Sequence, residues 1–408
     1  MLFLRKTAHY WISLLAIAGV VGLVFLNLNL SEQFVHQDEF APRWVAAKQW
    51  MTEGTSPYDR EVFEQTQALW ETYGYTEDEF SQGHYLDLVW NLILFLPFSF
   101  LPYLVARTIW MTITTLALFF CVWFGFDLAG VRFHPIEKVL IALLITLSYP
   151  CFKLILNASV LPLYVLFMIL GTKKALEGRS TAAGIYFLIS FGMFPLSLIL
   201  AVFFAIWLGS RRDSGFLSIY LSGLAFLLVT SLILFPGWIP EWFANFVQVH
   251  PDLSWVDTPL MRVAAFFPGA YQPLAISLHV LTLFMLLVEW YGLPESGERQ
   301  IRWKALLTLN LISFLNPSSS AVYLLLVWPG LFLFFEFLDE KWKIGGKIIS
   351  WTVFLILLNR FWTDFQNTLN WSSTESTVVS VLLPIVALIG LEWTRWWAME
   401  SPKPLIEE

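Results

Sequence analysis

The sequence predicts an all-α polytopic membrane protein, and three observations carry that prediction. Hydrophobic residues make up 57% of the chain and charged residues only 13%, where a soluble domain carries roughly 25% charged residues. Apolar runs of spanning length recur from one end to the other, divided by clusters of Lys and Arg. Many of the 21 Trp and 37 Phe stand near the ends of those runs, as aromatic residues do at membrane interfaces. The formal net charge of −7 then describes an acidic exposed loop rather than an acidic soluble surface. No basic block suggests nucleic acid. Cys121 and Cys151 sit in or beside apolar segments and read as small buried hydrophobes, not as a disulfide or a metal site.

Arg5 and Lys6 precede the first apolar run, and "LNLNLSEQF" after it offers no small-residue cleavage site. Residues 8–27 are expected to form an uncleaved first transmembrane helix with a cytoplasmic N-terminus. A spanning helix needs about 20 apolar residues, sometimes fewer. Further candidates are 86–102, 104–125, 138–150, 156–171, 181–208, 216–235, 272–291, 303–315, 320–338, 346–361 and 377–394. Cytoplasmic connections are marked by Lys173, Lys174 and Arg179, by Arg211 and Arg212, by Arg299, Arg302 and Lys304, by Lys341, Lys343 and Lys347, and by Arg395. The "LNPSSS" turn and residues 362–376 then fall outside. Residues 181–208 carry basic groups at both ends, which predicts two half-helices turning at "FGMFP", where Gly192 and Pro195 supply the break. The same parity puts "NAS", residues 157–159, outside. It leaves 86–102 either re-entrant or paired with an outer 126–137 connection. The expectation is a single integral-membrane domain over 1–408, with about 11–13 membrane segments. Its setting would be a bacterial inner membrane.

Two outer loops stand out, 29–85 and 236–270. The first is strongly acidic, with only Arg43, Lys48 and Arg60 as basic residues. Pro42 can open a helix and Gly54 can close it. Asp59 in "SPYD" is placed to cap a second helix ending near Gly74. Two interfacial helices are therefore expected on the outer face.

The centres of the predicted spans are nearly free of ionisable residues. Glu289, Glu336, Asp87, Lys153 and Arg360 all lie near span ends. Ion-coupled carriers place such groups near the bilayer midplane, so a proton or sodium carrier is disfavoured. There is no Asp-x-Asp pair to suggest a divalent metal, and no cofactor motif. "YTEDEF", residues 75–80, reads as a solvated acidic face. Asn157-Ala-Ser and Asn370-Trp-Ser are formal glycosylation sequons. "GRSTAAG" lacks the glycine spacing of a phosphate loop. The acids and polar aromatics gather at one surface, which suits chemistry on a head group held at the interface.

The runs "QDEFAPRWVAAKQWMTEGTSPYD" and "LPFSFLPYLVARTIWM" resemble the polytopic GT-C glycosyltransferases of family 87, relatives of the actinobacterial polyprenol-phosphate-mannose-dependent mannosyltransferases. Gly54, Pro57, Tyr58 and Asp59 match that family's Gly-x-x-Pro-Tyr turn, and Pro97, Leu101, Pro102, Ala106 and Trp110 match its proline corner. The resemblance covers the first half of the chain by motif and the rest by topology. It implies a GT-C-like helical bundle. It also implies transfer of a mannose-like sugar from a polyprenyl-phosphate donor to a lipid or glycan acceptor on the outer face. The reaction would invert the anomeric centre, with a carboxylate removing the acceptor proton.

Asp38 and Glu39 both stand near the family's acid slot. Counting from Trp44 and Ala46 favours Glu39, whereas the family's usual Asp favours Asp38. A slight preference falls on Asp38. The plainer reading is that both acids favour the positive end of the helix opening at Pro42. Three departures from the family are visible. "HYLDLVW" replaces Tyr-Pro-Pro, "NAS" replaces Gly-Gln, and Met193 or Phe194 stands where a Lys is common. Arg262 is the replacement candidate for the donor phosphate, against an ordinary interfacial anchor. His84 and His250 are weaker candidates that read as surface loop residues. Tyr58 is a further candidate for substrate binding. Asp87 reads as a helix cap, with a second active-site acid as the alternative. Two other functions stay open. One is a transporter or flippase for a lipid-linked substrate. The other is a non-catalytic membrane subunit that keeps the fold.

Overall fold

The computed structural model describes residues 2–34, 38–73, 83–131, 133–249, 258–315, 323–367 and 377–399. Among the described residues the regular structure is helical, with no strand. The chain forms two compact units. The first comprises residues 1–116, 153–160 and 230–249, and the second 117–152, 161–229 and 250–408.

The first unit opens with α1 (Leu2–Gln33), followed by α2 (Phe40–Glu53) and α3 (Arg60–Glu71). Helix α2 starts two residues before Pro42. That placement costs no hydrogen bond, because N–H groups of a first turn have no partner within the helix. It ends at Gly54, whose φ of 71° is left-handed and whose N–H donates to Trp50 O. This is the closure the glycine predicts. Asp59 does stand at the start of α3, but its carboxylate accepts from Ser56 N–H rather than from α3. Val62, Thr66 and Trp70 repeat every four residues along α3 and are its buried face.

Residues 86–102 do not make a helix of spanning length. They form a short 3-10 turn at Val89–Leu94 and then α4 (Leu96–Ser99). The Phe40 ring packs against Phe95, Phe98, Tyr103 and Trp110, with centroids 5.8–6.4 Å apart. This aromatic core holds α2 on α4 and on the start of α5 (Tyr103–Ala129).

In the second unit α6 (Pro135–Thr146) and α7 (Tyr149–Leu156) form one apolar stretch bent by 62°. The last residues of α7 belong to the first unit. Next come α8 (Leu161–Leu176), α9 (Ser180–Ser190) and α10 (Leu196–Ser210). The break between α9 and α10 falls at 191–195, where Gly192 and Pro195 place it. A side chain at Gly192 would collide with the Tyr164 ring, so glycine permits a close approach there. Helix α9 packs along α8, and its Phe187 ring meets Phe204 of α10 with centroids 5.6 Å apart.

Helix α11 (Gly215–Leu234) ends in the first unit and leads to α12 (Trp238–Val249). The second unit resumes with α13 (Pro259–Ala265), α14 (Tyr271–Tyr291) and α15 (Glu298–Leu315). It finishes with α16 (Leu324–Trp342), α17 (Ile344–Asn367) and α18 (Thr377–Met399). Helices α15, α16 and α18 pack on one another. Residues 303–314 of α15 are buried on every side.

Among the described residues three helices are long and apolar enough to cross a bilayer: α5, α11 and the helix over Pro268–Tyr291. The bent α6–α7 pair makes a fourth if it counts as one span. Breaks at 147–148 and 191–195 cut other apolar runs into shorter pieces. Only 11% of the apolar window of α11 and 22% of that at Pro268–Tyr291 is buried. Phe226, Ile233, Ile276 and Leu287 stand exposed. Such bare apolar helices are compatible with a helical membrane protein.

Candidate functional site

Both acids named by the sequence lie in the first unit, on the short link between α1 and α2, and their surroundings differ. The Asp38 side chain is fully enclosed. One carboxylate oxygen accepts from Phe40 N–H at 2.8 Å, serving an otherwise unpaired donor of the first turn of α2. The other lies 3.5 Å from Arg107 Nε. Arg107 is itself fully buried. It donates to Ser31 O at 3.0 Å, to Phe34 O at 2.7 Å and to Leu156 O at 2.7 Å. These carbonyls belong to the C-terminal ends of α1 and α7, where a cation is favoured. Burial pushes the Asp38 carboxyl up to about 6, against the opposing pull of Arg107. A value there suits a general base, but no face of the carboxylate is open to an acceptor.

Glu39 is 26% exposed at its side chain. Its Oε2 accepts from Ser159 Oγ at 2.8 Å and lies 3.9 Å from Arg43 Nη1. Its backbone is tied on both sides: its N–H donates to Asn157 O at 2.9 Å, and its carbonyl accepts from Arg43. The "NAS" turn thus forms a wall of the site, with Ala158 in left-handed conformation at φ 47°. Lys153, one turn before that wall on α7, is exposed and close enough to feel the Glu39 charge.

Arg43 joins the two halves of the site. It grips Asp87 with two nitrogens, Nε and Nη2, the latter at 3.1 Å from Oδ1. This fork-on-carboxylate geometry fixes both groups. Asp87 is therefore an ion-pair partner, not the helix cap expected of it. Tyr58 is nearly buried and donates to Asp87 O at 2.7 Å. Burial, with Asp87 and Glu241 nearby, holds its hydroxyl well above the usual phenol range, so it stays protonated. Helix α12 fastens this loop from outside. Ser56 Oγ donates to Glu241 at 2.6 Å, Trp242 Nε1 to Leu86 O at 2.9 Å, and Asn245 Nδ2 to Tyr58 O at 2.9 Å.

Arg43 and its bonds bring Glu39, Asp87 and Tyr58 together, and Asp38 sits behind them on Arg107. His84 lies in the same unit but stacks on Phe63, with centroids 4.1 Å apart. Burial lowers its pKa, so it is neutral at pH 7 and a poor phosphate partner. Arg262 lies in the second unit, in the last turn of α13. His250 falls outside the described residues. Sequence reasoning gave no site role to Arg43, Arg107, Lys153 or Ser159. The available signals were the i,i+4 spacing of Glu39 and Arg43 and a lone arginine in the apolar stretch that begins α5.

No family model matches the chain, and no curated protein matches it. Among the described residues no group of three or more His, Cys, Asp or Glu could hold a metal ion. What the site offers is a part-exposed carboxylate with one oxygen anchored, beside a fixed guanidinium and within reach of the charge of Lys153.

Proposed function

We propose that the protein is a membrane glycosyltransferase of the GT-C kind. It moves a mannose-like sugar from a polyprenyl-phosphate donor to a lipid or glycan acceptor, with Glu39 as the base. The supporting observation is the contrast at adjacent positions. Asp38 is enclosed by Arg107, whereas Glu39 is open on one side and held on the other by Ser159. Two of the three places where the sequence departs from the family pattern fall around Glu39. "HYLDLVW" supplies Asp87, which fixes Arg43, and "NAS" supplies Ser159.

In this reading Glu39 takes the acceptor hydroxyl proton as that oxygen attacks the anomeric carbon. The bond from that carbon to the phosphate oxygen breaks, and the polyprenyl phosphate leaves with the electron pair. Lys153 faces the charge that develops on the phosphate. Arg43, held by Asp87, keeps Glu39 in position. A positioned base contributes roughly 10²–10⁴-fold.

The test is a transfer assay on protein purified in detergent, with a panel of radiolabelled polyprenyl-phosphate sugars and a crude membrane lipid acceptor. Glu39→Gln should bind donor and lose transfer. Lys153→Gln should weaken donor binding about tenfold, the scale of one charge-assisted contact. Donor binding without transfer by any variant across the panel would overturn the enzymatic reading in favour of a lipid-handling protein.

A further inference from the structure

Helix α12 spans 12 residues, too few to cross a bilayer, yet it leaves large apolar side chains uncovered. Successive residues of a helix turn by about 100°, and at that step α12 divides into three stripes. The first stripe packs on the rest of the first unit: the Trp238 ring lies 5.5 Å from that of Trp90, Trp242 Nε1 donates to Leu86 O, and Asn245 Nδ2 donates to Tyr58 O. Ile239, Phe243 and Val247, spaced four apart, form the second stripe and are 45%, 60% and 49% exposed. Glu241 and Gln248 form the third stripe and are exposed as well. The order around the helix is thus packed, apolar, polar. The last turn of α11 also bares Leu232, Ile233 and Leu234, and only residues 235–237 separate it from α12.

A helix whose bare surface is apolar on one side and polar on the other fits a boundary between lipid and water. A second copy of the chain fits less well. A stable protein interface buries about 1,200–2,000 Å² in total, and three partly exposed side chains supply far less. Helix α12 carries no Lys or Arg, so its hold on a bilayer comes from apolar area rather than from anionic lipid. We infer that α12 is an interfacial helix, on the reading that α11 spans the membrane. Ile239, Phe243 and Val247 enter the lipid at the boundary of head groups and acyl chains, while Glu241 and Gln248 stay in water. Glu241 accepts from Ser56 Oγ and Asn245 donates to the Tyr58 carbonyl, so α12 holds the loop of Tyr58 at head-group level.

The full-length protein would be reconstituted in phosphatidylcholine vesicles with a nitroxide attached after Ile239→Cys, Phe243→Cys, Val247→Cys, Gln248→Cys or Phe226→Cys, one at a time. Each of these side chains is exposed, so no label displaces a packed neighbour. Cys121 and Cys151 are buried, and the signal of the chain without an added cysteine is subtracted. Collisions with oxygen, which concentrates in lipid, and with a water-soluble nickel chelate give the depth of each label. Labels at Ile239, Phe243 and Val247 should lie about 5–10 Å below the head groups. The label at Gln248 should lie in water, and that at Phe226 of α11 deeper than all the others. Adding phosphatidylglycerol should leave these depths unchanged. Labels at Ile239, Phe243 and Val247 open to the nickel chelate, with Phe226 in lipid, would overturn the assignment alone. Shielding of those three from both reagents, the mark of a second copy or another protein cover, would overturn it too, as would insertion confined to anionic vesicles. A label at Phe226 in water would overturn the membrane reading along with it.

Discussion

Asp38 and Glu39 are neighbours in sequence, yet their surroundings differ in kind. Around Asp38 every polar group serves the chain: Arg107 closes the ends of α1 and α7, and the carboxylate balances its charge and caps α2. Around Glu39 the polar groups hold one face of the carboxylate and leave the other open. On the proposed reading, two adjacent acids divide into a structural and a chemical one by burial and by what their partners do. The burial that raises the Asp38 pKa also closes its carboxylate off from any acceptor.

The strongest way to break this contrast is to remove Arg107. Arg107→Ala should strand the Asp38 charge and leave three carbonyls without a donor, costing about 3–5 kcal/mol. Thermal unfolding in detergent should show that loss, or the variant should fail to accumulate. Glu39→Gln should do the reverse, lowering turnover about 10²–10⁴-fold. Stability should stay within about 0.5 kcal/mol, since the amide oxygen can still accept from Ser159.

Asp38→Asn sharpens the comparison through pH. The folded carboxyl holds its proton up to about pH 6, while an aspartate ordinarily loses it near 3.8. Between those values the native state binds more protons than the unfolded chain, so this group's contribution to stability falls as pH rises from about 4 to 6. Denaturation across that window should show the decline in the wild type and a flatter profile in Asp38→Asn, which keeps the acceptor for Phe40 N–H. Ser159→Ala should have the smallest effect. One hydrogen bond contributes about 1 kcal/mol, so turnover should fall about fivefold with little change in unfolding temperature.

Local signals in the sequence placed several features well. Gly54 closes α2 because its left-handed φ suits glycine, and Gly192 with Pro195 marks the break before α10. The partners of the two acids were not legible, because they come from distant segments. Arg107 is on α5 and Ser159 follows α7. Only packing brings them to the α1–α2 link, and no periodicity encodes it. Asp87 was misread as a cap for the same reason, since its partner Arg43 lies 44 residues away. Interrupted apolar runs also obscured the span pattern, because a bend such as that between α6 and α7 leaves hydropathy unchanged.

The central claim is that Glu39, not Asp38, removes the acceptor proton. Single-turnover sugar transfer, expressed per folded molecule, should be measured side by side for Glu39→Gln and Asp38→Asn, with donor bound to saturation. The account predicts a loss of at least a hundredfold in Glu39→Gln, and in Asp38→Asn a rate within about tenfold of wild type together with altered stability. A hundredfold loss confined to Asp38→Asn, with Glu39→Gln active, would contradict it.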